Sequence, residues 1–437
     1  MLTSQSQRRV HKASQYNTNN YNLYCIIDSK KILTSPEWEI DRSKVIDCLN
    51  ELVKRHSVLS SRFAYEGSVL MSRPVANVSI QLETISCDLL DQDTTIQELL
   101  KNTTFELHSD SLLMKPFVLV TKDNKESLLI IFHHIVFDGW SSSIFEKEFI
   151  KLYNNETLPL LDYSYQDYCV WEQEYLKSSR FQRSLEWWKE NCKPNLVNDF
   201  PYDSLASSSS YSLVYTQSIQ NSLLTEKWKK YITDYKVSSY QLFQIILALT
   251  FWCITSQRTI VLNGITTNRP NLKSEKLIGM FVNTVVYPYI IDPDSTFDEF
   301  VKQARKLFYQ VITHSQVPYE YISSGNPQVM TTTSLEQSLS SSSSSSKLRC
   351  TRIPSKFDLS ISVEVSDLLS TSPFRGSDQI SIQWLYREGM FLEDTIQKLG
   401  NVFETVLSLV EPHLELNYIK ESIQVSTFFP RYLEIKE

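Results

Sequence analysis

The chain has 437 residues, more than a single hydrophobic core normally organises, which points to two or more domains. Charged residues make up 21% and hydrophobic ones 42%, the composition of a globular enzyme rather than of a disordered or fibrous chain. A formal charge of −7 argues against a phosphate backbone as partner, so no nucleic acid is expected.

The cysteines Cys25, Cys48, Cys87, Cys169, Cys192, Cys253 and Cys350 are odd in number and scattered, with no CxxC pair. That pattern predicts reduced thiols in a cytoplasmic protein, with neither a disulfide framework nor a zinc site. The opening Met-Leu-Thr-Ser-Gln-Ser-Gln-Arg-Arg lacks the apolar core of a signal peptide. The longest apolar stretch, Ile245 to Ile254, falls well short of the ~20 residues that cross a bilayer, so it reads as a buried helix and no membrane partner is expected.

Leu128 to Phe132 are five apolar residues in a row, as in a strand covered on both faces. Phe145, Phe149, Leu152 and Tyr153 then fall at i, i+4, i+7 and i+8, a helical spacing, and Ser141, Ser142 and Ser143 crowd its start as candidate caps. Between strand and helix lie His133, His134, Asp138 and Gly139, the pattern HHxxxDG. Strand, turn and helix in that order make a place for chemistry. Neighbouring side chains on an extended chain point to opposite faces, so one histidine is expected to work and the other to support it. A histidine there suits general base duty near neutral pH. The aspartate can hold an arginine and brace the turn, and the glycine lets backbone approach a ligand. With no HExxH spacing and no carboxylate or cysteine set beside the histidines, no metal is expected.

Lys177 to Lys193 is largely polar and Asn195 to Ser210 is loop-like and serine-rich. The boundary between an N-terminal lobe, 1–175, and a C-terminal lobe, 176–437, is placed here. A buried helix is predicted over Tyr240 to Ile254. Ser334 to Ser346 is nearly all serine and reads as a loop of no assigned function. Leu359, Ile361, Val363 and Val365 alternate with polar residues, as do Ile380, Ile382 and Trp384, predicting two half-buried strands. Ile396, Leu399, Phe403, Val406, Leu407 and Val410 keep helical spacing, so the second lobe is also α/β.

HHxxxDG is one of six segments, in order, that resemble the condensation domains of non-ribosomal peptide synthetases, in the chloramphenicol acetyltransferase-like superfamily. Ser4 to Arg9 looks like SxAQxR, Arg55 to Phe63 like RHxxLRTxF, and Tyr165 to Glu172 like YxDFAVWQ. Ile278 to Thr284 is similar to IGxFVNT and His314 to Glu320 to HxxxPFE. The chain departs from the pattern after Asn326-Pro327, where the expected arginines and apolar strand are replaced by Gln328 to Ser346.

The resemblance implies two acetyltransferase-like α/β lobes in a V-shaped pseudo-dimer around a central tunnel. Carrier proteins would deliver phosphopantetheine arms from both ends, and an acceptor amine would attack the donor thioester. By the same resemblance His134 orients the amine and takes its proton, and the Gly139 amide meets the oxyanion. His133 and Asp138 support the site, with Arg62 or Arg9 as the arginine paired to Asp138. Trp140, Ser141 and Asn283 belong to the tunnel or the crossover between lobes, while His56, His314, Tyr168 and Trp171 are read as structural. No intrinsic cofactor is implied: there is no GxxxxGK[ST] phosphate loop, and a thioester is already activated. A monomer is expected, with carrier and adenylation domains as partners elsewhere. Two other readings stand beside this one: an acyltransferase that uses coenzyme A, and an inactive module that docks carriers.

Overall fold

The computed structural model describes the chain except for residues 16–20, 30–38, 76–78, 88–91, 193–197, 205–210, 323–328, 334–352, 355–356, 367–378, 424–427 and 429–437. The serine-rich segment Ser334 to Ser346 lies outside the described residues. Contacts divide the chain into two units, each α/β. The first takes Met1–Gln182 together with Thr267–Asn283, and the second takes Arg183–Thr266 and most of the chain from Thr284 onward. The division therefore differs from one cut after residue 175, because seventeen residues from mid-chain pack with the N-terminal unit.

In the first unit, α1 (Gln5–Ser14) precedes β1 (Asn22–Asp28) and α2 (Arg42–Arg55). A hairpin of β2 (Ser61–Glu66) and β3 (Val69–Pro74) follows, then β4 (Glu83–Cys87) and α3 (Gln92–Asn102). β5 (Met114–Thr121) and β6 (Glu126–His133) lead through the HHxxxDG turn into α4 (Gly139–Tyr153) and α5 (Tyr165–Lys177). The sheet order is β1-β6-β5-β4, with β6 antiparallel to both neighbours and β4 parallel to β5. A central β6 explains its unbroken apolar run, since all eight of its residues are buried. Pairing of Asn22 with His133 ends the ladder at the first histidine of the motif. Phe132, Phe137 and Phe145 pack under the turn, with Phe132 and Phe137 stacked at 3.9 Å.

The second unit holds most of α6 (Ser179–Asn191), then β7 (Tyr211–Ile219), α7 (Ser222–Tyr235), α8 (Ser239–Thr255) and β8 (Thr259–Thr266). β9 (Asn283–Ile290), α9 (Phe297–Thr313), α10 (Tyr319–Ile322), β10 (Val329–Thr333), β11 (Ile353–Pro354), β12 (Leu359–Ser366), β13 (Gln379–Arg387), α11 (Glu393–Leu409) and α12 (Leu416–Ser422) complete it. The strand order is β11-β7-β13-β12-β10-β8-β9. The buried helix and both alternating strands stand where the sequence places them: Ile380, Ile382 and Trp384 are fully buried, and their polar neighbours are not. Among the described residues no single helix is long and apolar enough to cross a membrane.

One expectation is corrected. A strand does form within the stretch Gln328 to Ser346: β10 runs parallel to both β12 and β8. Apolar patterning missed it because Thr331, at its centre, is bound by polar contacts rather than by burial of a hydrocarbon. The Thr331 hydroxyl donates to Asn263 O at 2.8 Å, and the Gln244 amide donates to the same hydroxyl. Tyr289 Oη donates to Gln244 Oε1 at 2.8 Å, so one glutamine on α8 satisfies two strands. Asn198, in the stretch read as a loop, likewise holds the β8 backbone with bonds to Val261 O and from Val261 N, at 2.6 and 2.8 Å. Gln244→Leu removes the donor to Thr331 and the acceptor for a fully buried Tyr289, and is expected to lower unfolding free energy by about 1–3 kcal/mol in urea titrations. A loss under about 0.5 kcal/mol would show that the network is not what holds β10.

Candidate active site

The HHxxxDG turn is defined by its own backbone. His133 N donates to Leu113 O at 2.9 Å and His134 N to Tyr21 O at 2.7 Å, while Val136 N and Phe137 N reach back to the carbonyls of His133 and His134. The strand ends at His133, so alternation along it does not by itself tell the two histidines apart. Their hydrogen bonds do. Ile135 N donates to His133 Nδ1 at 3.2 Å, which puts the His133 proton on Nε2. His134 Nδ1 lies 2.6 Å from Phe137 O, a pure acceptor, so there the proton sits on Nδ1 and Nε2 is the basic nitrogen. These tautomers are assigned, for neutral rings, from the hydrogen-bond partners. His133 is fully buried against Phe105 and Tyr21, whereas His134 is half-buried.

Asp138 is fully buried and is the N-cap of α4. Its Oδ1 accepts from Ser141 N at 2.8 Å and from Ser141 Oγ at 2.6 Å. The cap is thus a carboxylate rather than one of the serine hydroxyls, and a negative charge suits a helix N-terminus. The arginine paired with Asp138 is neither Arg62 nor Arg9 but Arg269, which donates from one terminal nitrogen to both carboxylate oxygens at 3.0 and 3.2 Å with both side chains out of solvent. Arg62 instead meets the exposed Asp110 at 2.6 Å, and Arg9 donates to Val282 O at 2.9 Å and Asn283 Oδ1 at 3.3 Å. Chain proximity had no bearing on the pairing, since Arg269 is 131 residues from its partner.

Arg269 also donates to Ser274 O and Leu277 O at 2.6 and 2.7 Å, and its guanidinium lies 4.0 Å from the centre of the Phe281 ring. Phe281 N donates to Asp138 Oδ2 at 3.1 Å, and Gly279 N donates to Ser141 Oγ at 3.0 Å. Trp140, 44% exposed, donates its indole N–H to Glu275 O at 3.0 Å. The segment 267–283 is thereby fastened along the first turn of α4. Gly279 is required by space: a Cβ there would sit inside the Tyr165 ring. Burial holds the Tyr165 phenol well above its ordinary range, and it remains a neutral bridge between Ser4 Oγ and Met280 O.

His56 donates from Nε2 to Glu148 Oε2 at 2.8 Å and accepts from Ile278 N at 3.4 Å on its other nitrogen, outside the HHxxxDG turn. His314 stacks on Trp187 at 4.6 Å in the second unit. Tyr168 is fully buried and stacks on Trp171. Among the described residues no group of three or more His, Cys, Asp or Glu side chains is placed to hold a metal.

An α/β chain with a capped HHxxxDG turn between a central strand and a helix belongs to a recognisable class. The condensation domain family model matches residues 1–425, and this chain belongs to that family. It is 26% identical over 433 residues to surfactin synthase subunit 2 of Bacillus subtilis, covering 93% of this chain and 11% of that protein. The chain thus spans about a tenth of the length of the curated relatives it matches. In fold it is similar to the X-domain from teicoplanin biosynthesis, with a TM-score of 0.76, 17% identity and coverage of 95% and 96% of the two chains. It is similar also to the first condensation domain of the calcium-dependent antibiotic synthetase, with a TM-score of 0.68, 16% identity and coverage of 95% and 97%.

Asp138→Ala strands the Arg269 guanidinium and is expected to cost about 3–5 kcal/mol of stability, with loss of soluble yield. Adding Arg269→Met is expected to restore part of it, and strict additivity of the two losses in a double-mutant cycle would show that the pair is not coupled.

Proposed function

We propose that the chain forms an amide bond between a carrier-bound acyl or peptidyl thioester and the amine of an acceptor on a second carrier. The amine nitrogen attacks the thioester carbon and the carbonyl oxygen becomes an oxyanion. Collapse then breaks the carbon–sulfur bond and releases the donor arm as a thiol. The proton lost by the amine goes to His134 Nε2 and from there to the departing sulfur.

The single observation carrying this reading is the bond from His134 Nδ1 to Phe137 O, which fixes the ring and leaves Nε2 as the proton acceptor. An α-amino group has an ordinary pKa near ~8, so a fair fraction is already neutral and the base need only act as the bond forms. Gly139 opens α4, where backbone amides have no intrahelical acceptor and the helix dipole favours negative charge, so its N–H suits the oxyanion. The phosphopantetheine arms come with the carriers, and the protein itself contributes alignment, which can be worth up to ~7–11 kcal/mol in ideal cases. His133 and Asp138 support this arrangement without touching substrate. Coenzyme A presents the same thioester on the same arm, and the two donors are told apart by assay.

His134→Ala is expected to abolish product from two loaded carriers while moving the thermal midpoint by less than about 2 °C, because a half-buried side chain at a turn carries little core packing. Retained turnover would remove His134 from the chemistry. Offered acyl-loaded carriers in one assay and acyl-coenzyme A with small amines in another, the protein is expected to turn over only the first. Product from the second alone would establish a coenzyme A acyltransferase, and no product from either an inactive docking module.

A further inference from the structure

We propose that Gln7 is a positioning residue for His134, a role that rests on the reading of His134 as the base. Gln7 lies on α1, is 1% exposed, and has its side-chain amide committed at both ends. Its Oε1 accepts from Ser4 N at 3.2 Å, closing a capping box in which Ser4 Oγ accepts from Gln7 N. Its Nε2 donates to Ile135 O at 3.1 Å, inside the HHxxxDG turn and 128 residues away in sequence. Ile135 is the residue after the base, and its own N–H is the donor that sets the His133 tautomer. One bond from α1 therefore fixes a carbonyl within the stretch that joins His134, held through its backbone N on Tyr21 O, to Phe137, whose carbonyl meets His134 Nδ1. The neighbouring residues of α1 grip the other side of the site. Ser6 Oγ and Arg9 both donate to Val282 O at 2.9 Å, so α1 bonds both the turn and the end of the segment 267–283 within the first unit.

The chemistry demands an amide at position 7. A carboxylate would still cap the helix but would face the Ile135 carbonyl with a second acceptor, and a thioether would offer no donor. The test compares Gln7→Glu, Gln7→Met and Ser4→Ala with the unaltered chain by histidine ¹⁵N NMR, with the His134 signals assigned through their loss in His134→Ala. In parallel, kcat and KM are measured with the pair of loaded carrier domains that the unaltered chain condenses. Both Gln7 variants are expected to convert the single Nδ1–H signature of His134 into a tautomer mixture. They are also expected to lower kcat by about 10- to 100-fold with KM within twofold. Ser4→Ala, which removes the cap and the Ser4 contact to Tyr165 but keeps the Gln7 donor to Ile135 O, is expected to lower the thermal midpoint and leave the His134 signature in place. An unaltered His134 signature in a folded Gln7 variant overturns the proposal, as does a kcat within twofold of the unaltered chain. Should His134→Ala retain turnover, the base reading fails, and the imidazole signature alone decides whether Gln7 positions the ring.

Discussion

The buried carboxylate of Asp138 is the joint on which the site depends. It accepts hydrogen bonds from the first turn of α4, from Arg269 and from the backbone of Phe281, and so joins one helix start to a segment far along the chain. A buried pair of charges adds little stability against an apolar replacement, because desolvation offsets most of the attraction. What it adds here is connection. The carboxylate and the guanidinium satisfy one another out of solvent, and the guanidinium holds the carbonyls of Ser274 and Leu277 besides.

That joint explains how two adjacent and chemically identical side chains come to differ. The strand and the clamped segment fix the backbone on either side of the turn, and within it each ring meets a different backbone partner. An N–H faces His133 and a C=O faces His134, so the protons settle on opposite nitrogens. The two rings thus differ through the backbone groups they meet rather than through residue type.

Much of the fold was legible from the chain because burial there follows period. β6, α8, β12, β13 and α11 are elements whose apolar spacing matches their geometry, and they stand where that spacing places them. The turn between β6 and α4 was legible from residue type and spacing. What escaped was held by polar contacts across long separations. Arg269 carries no local signal tying it to Asp138, Gln7 carries none tying it to Ile135, and Thr331 of β10 is held by Gln244 and Asn263 through polar contacts. The helix cap was misread for a related reason, as three serines outnumber one aspartate by count while the aspartate alone also meets an arginine.

The contribution of Thr267–Asn283 to the first unit has a consequence for how such a chain is cut and recombined. A crossover placed anywhere between Arg183 and Thr266 would bring Asp138 from one parent and Arg269 from the other, together with the glycine that makes room for Tyr165. The two halves of the sequence are therefore not two modules. Exchange that keeps both partners of the buried ion pair in one parent has to carry residues 1–182 and 267–283 together, although they are apart in the chain.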